Sequence, residues 1–408
     1  MRATMRPIRE TIPLDEALAL ILEAAPPIER TERIPLREAT GRVIAAAPTA
    51  AGDVPPFDRA AMDGYAVRAE DTFGAGRHDP KVLRIVEKVY TGQVPSQVVK
   101  AGECIEIATG APMPQGADAV VMVEETERVP HAEDVRVFTP VYPAQHVGRR
   151  GADITSGAAV LQPGDLLNPS RIGALAAIAA VEVEVYEKPR IAILSTGNEI
   201  VEPGEPLRPG QIYDINRFTL ASIIGAHGGV PVALPTAPDT IDALSASIDI
   251  ALAEDVLVFS GGSSVGERDL ILDVLARRGE VLFHGVAVKP GKPTVFGKVD
   301  GKPVLGMPGY PTSCLSNSYM LLVPMLRRMA RLPEHRPQTV RVPLARRIVS
   351  TTGRHQFYTV RISEEGSAVP AFKASGDITS MAHADGYLEI PAHVDIVEAG
   401  ELVDVKLF

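Results

Sequence analysis

The chain has 408 residues, of which 45% are hydrophobic and 23% charged, and its formal net charge is −10. At about 150 residues per domain the length points to roughly three domains, enough to bury a core without disulfide or metal staples. The composition excludes collagen, coiled coil and bulk disorder, and the acidic balance argues against a broad nucleic-acid surface; the 35 glycines and 35 prolines instead call for many turns and fixed loops.

In chain order, PLDEALALILEAA (13–25) carries apolar positions at helical spacing behind a proline and an acidic turn. PLREATGRVIAA (35–46) reads as a second short helix or turn-helix, and residues 52–62 as an ordered loop around two prolines. From 63 to about 145 short strands alternate with turns, the pattern of a small β domain. Residues 146–168 are loop-rich, and SRIGALAAIAA (170–180) is a Ser-capped helical run followed by the strand VEVEVYE. Residues 190–331 alternate strands with helices near 216–227, 240–253, 268–278 and 312–331, which predicts a βαβ array with a mainly parallel sheet. After 335 the chain returns to short strands, a further small β domain.

Cys104 and Cys314 are too far apart for a CxxC pair, and the histidines show no HxxxH spacing. The N-terminus lacks the apolar core of a secretory signal, and the longest apolar stretch, 172–181, is too short to span a bilayer. The expected location is the cytoplasm, with neither membrane nor nucleic acid as partner.

Ligands of open parallel sheets bind beyond the carboxyl ends of the strands. Four turns of 190–331 lie there: Ser195-Thr196-Gly197-Asn198-Glu199, SGGSSVGERD (260–269), KPGKP (289–293) and MPGYPTS (307–313). Glycines allow close backbone approach, and helix N-termini offer N–H groups to anions. Four such turns on one rim fit an extended polyanion. Lys289 and Lys292, between prolines, suit a phosphate or similar oxyanion. Glu199, Asp214, Asp239, Glu267 and Asp269 supply carboxylates beside this rim, and Mg²⁺ shared with phosphate needs few of them. Helix capping is the rival role for Asp239. Gly262-Ser263-Ser264-Val265-Gly266 also matches the GxSxG of α/β-hydrolases, with Asp269 and His284 or His355 in order, but the sheet is too short for that fold. Both cysteines read as buried structural residues.

PFDRAAMDGYAVR (56–68), ATGAPMPQGADAVVMVEE (108–125), RRGADI (149–154), STGNEI (195–200), GQIYDINR (210–217), SGGSSVGERD (260–269), VKPGKPTVFG (288–297) and MPGYPTS (307–313) together resemble, in order, the motif series of the MoeA family. These are molybdopterin molybdenumtransferases, related to the gephyrin E domain. SGDITSM (375–381) agrees more weakly.

The resemblance implies insertion of molybdate into adenylylated molybdopterin (molybdopterin-AMP), with release of AMP and dependence on Mg²⁺, late in molybdenum cofactor synthesis. It implies an α/β plus β multidomain fold. A small split domain would take 7–30 and 156–186, and a β domain 50–155. A MogA-like α/β domain with a parallel-rich sheet would take 31–49 and 187–333, and a C-terminal β barrel 334–408. It also implies a homodimer whose active site lies between the α/β domain of one subunit and the β domain of the other, and other cofactor-biosynthesis proteins as partners. Carried onto this chain, Asp63, Glu199, Asp239 and Asp269 organise metal and water for adenylate cleavage, and Lys289 and Lys292 neutralise oxyanion or phosphate. Thr109 and Ser263 donate hydrogen bonds. Ser195, Thr196, Gly197, Gly261, Gly262, Pro308, Gly309, Pro311, Arg149, Asp153 and Ser375 complete the ligand-binding set. The chain departs from the family pattern at Gly148-Arg149-Arg150, where many members carry a longer basic run, and at His284, Ser263 and Tyr310. A non-catalytic molybdopterin-binding scaffold and a tungstate-handling paralogue are the alternatives. A molybdopterin adenylyltransferase or nucleotide hydrolase on the same α/β domain is opposed by the β domain with AMDGYAVR.

Overall fold

RIAILS (190–195) and VLVFS (256–260) are apolar throughout, as strands covered on both faces must be. In the computed structural model, which describes residues 10–261 and 270–408, they are the centre of a six-stranded sheet. Residues up to Glu32 and Tyr186–Phe408 make one compact unit, and Arg33–Val185 a second.

The sheet of the first unit comprises β1 (Arg190–Ser195), β2 (Val230–Ala233), β3 (Val256–Ser260), β4 (Gly279–His284), β5 (Val295–Val299) and β6 (Lys302–Met307). Their order is β2-β1-β3-β6-β5-β4, parallel from β2 to β6 and antiparallel over the last two pairings. Alternate residues feed opposite cores. Ile191, Ile193, Val256 and Val258 pack with helix Asn216–Ala226 and the long helix that ends at Met329. Ala192, Leu194, Leu257 and Phe259 pack with helices Ile241–Ala251 and Leu270–Arg278. Each fully buried aliphatic side chain contributes about 1.5–3 kcal/mol, so this two-sided packing dominates the unit's stability.

The predicted helix over 312–331 is present from Pro311 to Met329, but Ser318–Leu322 is a π-helical turn. Pro324, two residues beyond it, cannot donate to the Met320 carbonyl four residues back and crowds it.

Residues 339–343, 355–362, 386–390 and 402–407 form an antiparallel sheet, and Val288–Lys289 joins its edge in parallel with His355–Gln356. Phe357 stacks on Tyr387 with centroids 4.0 Å apart, and Tyr319 of the π turn packs on both.

In the second unit a six-stranded sheet runs in the order 119–122, 64–67, 103–107, 81–89, 134–137, 126–128. Tyr65, Val67 and Cys104 face one core, and Ala66, Ile105 and Val120 the other.

Two short segments pack the other way round from the sequence expectation. Helix Leu14–Ala24 buries Ala17, Ile21 and Ala24 in the α/β core, whereas Ile34, Ala39 and Ile44 pack with Leu167, Leu175 and Val183. An apolar stripe on a short helix does not encode which core receives it. The second expected helix, over 35–46, is instead a 3₁₀ turn at Leu36–Glu38. Val43 and Ile44 then bridge Leu166 and Val185, as consecutive β-branched residues favour extended backbone. No helix among the described residues is long and apolar enough to cross a membrane.

Candidate active site

β1, β3 and β6 end side by side, with Ser195 opposite Ser260 and Ser260 opposite Met307. The turns that follow are in close contact. The Thr196 N–H donates to Ser260 O at 3.0 Å. Gly261 has φ +100°, and a side chain there would meet Thr196 O at 2.4 Å, so only glycine lets the turns close. Gly309 lies across from the Gly261 α-carbon.

Asn216 locks this meeting point. Its Nδ2 donates to Ser260 Oγ at 2.7 Å and to Gly309 O at 2.8 Å. The helix that begins at Asn216 is set by Asp214, which accepts the Arg217 N–H at 3.0 Å and pairs with its guanidinium at 3.2 Å. Arg217 in turn donates to Glu202 and Thr236. The hydroxyls of Ser195 and Thr196 are buried without a hydrogen-bond partner among the described residues.

Glu199 is exposed and folds back over Gly197. The turn of Asp239 is alongside, since Thr196 bridges Ala237 and the Gly197 N–H donates to Ala237 O at 3.4 Å. Thr240, not Asp239, caps helix Ile241–Ala251, accepting the Ala243 N–H at 3.3 Å. The Asp239 carboxylate therefore has no capping role.

The KPGKP turn is held from the opposite side. Asn317 Nδ2 donates to Gly291 O at 2.8 Å and to Thr294 Oγ1, and a side chain at Gly291 would strike Asn317. Lys289 Nζ donates to Thr351 Oγ1 at 2.7 Å, so the C-terminal sheet fixes its position. Lys292 is half-buried in the same turn. Pro311 opens helix Pro311–Asn317, Tyr310 is 67% exposed and covers Gly376, and the Thr312 N–H donates to Ser375 O at 3.0 Å. Pro308 is buried beside the exposed Gly309. Gly262, Ser263 and Asp269 lie outside the described residues.

In the second unit Asp63 Oδ1 accepts the Thr109 N–H at 2.7 Å. Asp63 also lines a cavity of about 230 Å³ with Tyr65, Lys88, Tyr90, Glu106 and Val123. Glu106 binds Lys88 at 2.6 Å and Arg128 at 2.7 Å. The Lys88 ammonium lies 5.2 Å from the centre of the Tyr90 ring, and Glu106 and then Tyr90 hold its pKa above the usual lysine value. Arg149 and Asp153 are exposed on a loop that Asp53 and Asp58 fasten: Asp53 accepts from Arg150 Nε at 2.6 Å and Ser156 N at 2.8 Å, and Asp58 from Arg150 N at 2.7 Å. These bonds, the Ser156 N–H first, lower the Asp53 pKa.

Burial pushes both thiols up to about 12, so Cys104 and Cys314 are inert. Sequence reasoning did not single out Asn216 or Asn317. Asn216 was visible within GQIYDINR, opening a helix next to a Gly turn; Asn317, mid-helix, carried no local signal.

Fold and site together define a multidomain protein whose α/β domain closes its glycine turns against one another at the strand ends. Three family models match consecutive parts of it: the MoeA N-terminal region (domain I and II) over 12–179, a probable molybdopterin binding domain over 192–328, and the MoeA C-terminal region (domain IV) over 341–408. The chain is 34% identical to molybdopterin molybdenumtransferase 2 of Mycobacterium tuberculosis, covering 98% of this chain and 99% of that protein. It is 32% identical to the molybdopterin molybdenumtransferase of Haemophilus influenzae over 97% and 98%. A crystal structure of a molybdopterin biosynthesis MoeA protein from Pyrococcus horikosii superposes with TM-score 0.83 at 41% identity, over 98% and 99% of the two chains. The chain belongs to the MoeA family.

Proposed function

We propose that this chain is a molybdopterin molybdenumtransferase that inserts molybdate into adenylylated molybdopterin and releases AMP. The observation that carries this reading is similarity to transferases so named along nearly the full length of both chains. The rim supports it physically. The ammonium of Lys289, held in place by Thr351, suits a ligand with phosphate groups. The hydroxyls of Ser195 and Thr196, buried at the strand ends of this rim, have no partner among the described residues.

Among the described residues no three metal-ligating side chains cluster. Glu199 and Asp239 are nevertheless oxygen donors on adjacent turns, and Mg²⁺ takes one or two carboxylates and fills its shell with water and phosphate. Glu199, Asp239 and, outside the described residues, Asp269 would hold it. When bound it supplies charge neutralisation to the phosphates. Lys289, fixed by Thr351, neutralises the same oxyanions from the other side, and the two turns carrying Glu199 and Asp239 orient the water that cleaves the phosphoanhydride.

We further propose a cytoplasmic homodimer with a shared active site, and a division into a small split domain, a β domain, a MogA-like α/β domain and a C-terminal barrel. Incubation with adenylylated molybdopterin, molybdate and Mg²⁺ tests the activity: AMP and active cofactor should accumulate together, and persistence of the adenylate refutes it. Glu199→Gln should slow AMP release by about tenfold or more, the scale of a lost electrostatic or acid–base contribution.

A further inference from the structure

The cavity of the second unit differs in kind from the strand-end rim. Its volume of about 230 Å³ is below that of sites for drug-sized ligands, so it suits a single bicyclic ring and not a nucleotide. Apolar Tyr65, Val89, Ile107 and Val123 line it, and Tyr90, 53% exposed, stands at its edge as a stacking surface. Two carboxylates reach it, and they are not equivalent. Glu106 is already paired with Lys88 and Arg128. Asp63 uses Oδ1 for the Thr109 N–H, and its Oδ2 has no partner among the described residues.

A carboxylate with free lone pairs in a ring-sized cavity accepts from adjacent N–H donors. The two heterocycles of the proposed substrate differ in this respect. The 2-amino-4-oxo edge of a pterin presents its ring N–H and amino group side by side, both donors. Adenine presents its amino group next to a ring acceptor, which a carboxylate repels. Building on the transferase reading, we propose that this cavity binds the pterin ring of the substrate, with Asp63 reading its aminopyrimidinone edge and Tyr90 stacking on its face. Asp63 thereby leaves the expected metal set and becomes a residue that selects pterin over adenine.

The test uses the full-length chain and 6-hydroxymethylpterin as probe. The chain has no tryptophan, so pterin emission is read without overlap, and stacking on Tyr90 should quench it saturably. Asp63→Asn keeps an amide oxygen for the Thr109 N–H but loses the charge and lone-pair pattern. It should raise the pterin Kd about tenfold or more, the worth of a charge-assisted pair. Tyr90→Ala should abolish the quenching and raise the pterin Kd measured by equilibrium dialysis, whereas Tyr90→Phe, which keeps the stacking face, should keep that Kd. AMP should not displace the probe. Equal pterin affinity in natural chain and Asp63→Asn, quenching that survives Tyr90→Ala, or no saturable binding by a chain that releases AMP overturns the proposal and leaves the transferase reading intact. Pterin binding that depends on Asp63 and Tyr90, in a chain that releases no AMP, supports the cavity and refutes the transferase reading instead.

Discussion

Asn216 holds the rim with one amide. Its two hydrogen bonds join a strand end, Ser260, to the turn at Gly309, which is 93 residues from Asn216 itself. Asn216→Ala leaves the buried Ser260 hydroxyl and the part-buried Gly309 carbonyl without their donor. The loss should be about 1–3 kcal/mol of stability, read as a lower urea midpoint. AMP release should fall further than the stability loss explains, because Gly261 and Gly309 lose their shared restraint. Unchanged turnover in a folded Asn216→Ala chain would remove the positioning role. The other carboxamide, Asn317, does the same for Gly291, and in both residues the amide nitrogen is spent on backbone and hydroxyl oxygens.

At the scale of elements, glycines of one residue type have opposite value in two settings. Gly261 has φ +100° and no room for a methyl group against Thr196 O, so Gly261→Ala must open the junction of the first two turns. Gly173 sits exposed inside helix Pro169–Ala177 with nothing within 4 Å of an added methyl. Gly173→Ala should raise stability by about 0.5–1 kcal/mol through lower backbone entropy in the unfolded chain. Thermal midpoints of the two variants should therefore move in opposite directions, and a common direction would refute the account. The paired arms of the KPGKP turn show why sequence spans did not reveal element roles. Val288–Lys289 is an edge strand of the C-terminal sheet, so a residue read as part of the α/β rim owes its position to Thr351, 62 residues on.

For the molecule as a whole, one buried histidine couples stability to pH. His227 caps helix Asn216–Ala226 and meets His335 edge-to-face at 4.8 Å. Burial, then the charges of His335 and Arg327, lowers its pKa from the usual 6.5 to about 4. The unfolded chain therefore binds a proton near pH 6.5 that the folded chain refuses until about pH 4. Stability should fall as pH drops through that window and level off below it. His335, also lowered by burial, adds in the same direction. Urea midpoints measured across this range should fall less steeply for His227→Gln than for the natural chain; parallel slopes would assign the acid sensitivity elsewhere.

The residue order alone determined the turns, the strands buried on both faces and the helix periods, because each depends on φ freedom or on a side-chain repeat of a few residues. It also carried the eight-motif series by which the family was legible before any contact was known. Only the tertiary structure decided which core takes helix Leu14–Ala24, why Val43 and Ile44 are extended and not helical, and that Asn216 and Asn317 lock the rim. Those outcomes rest on partners tens to hundreds of residues distant, and a local pattern states what a segment can bury or donate without stating which neighbour the folded chain brings to it.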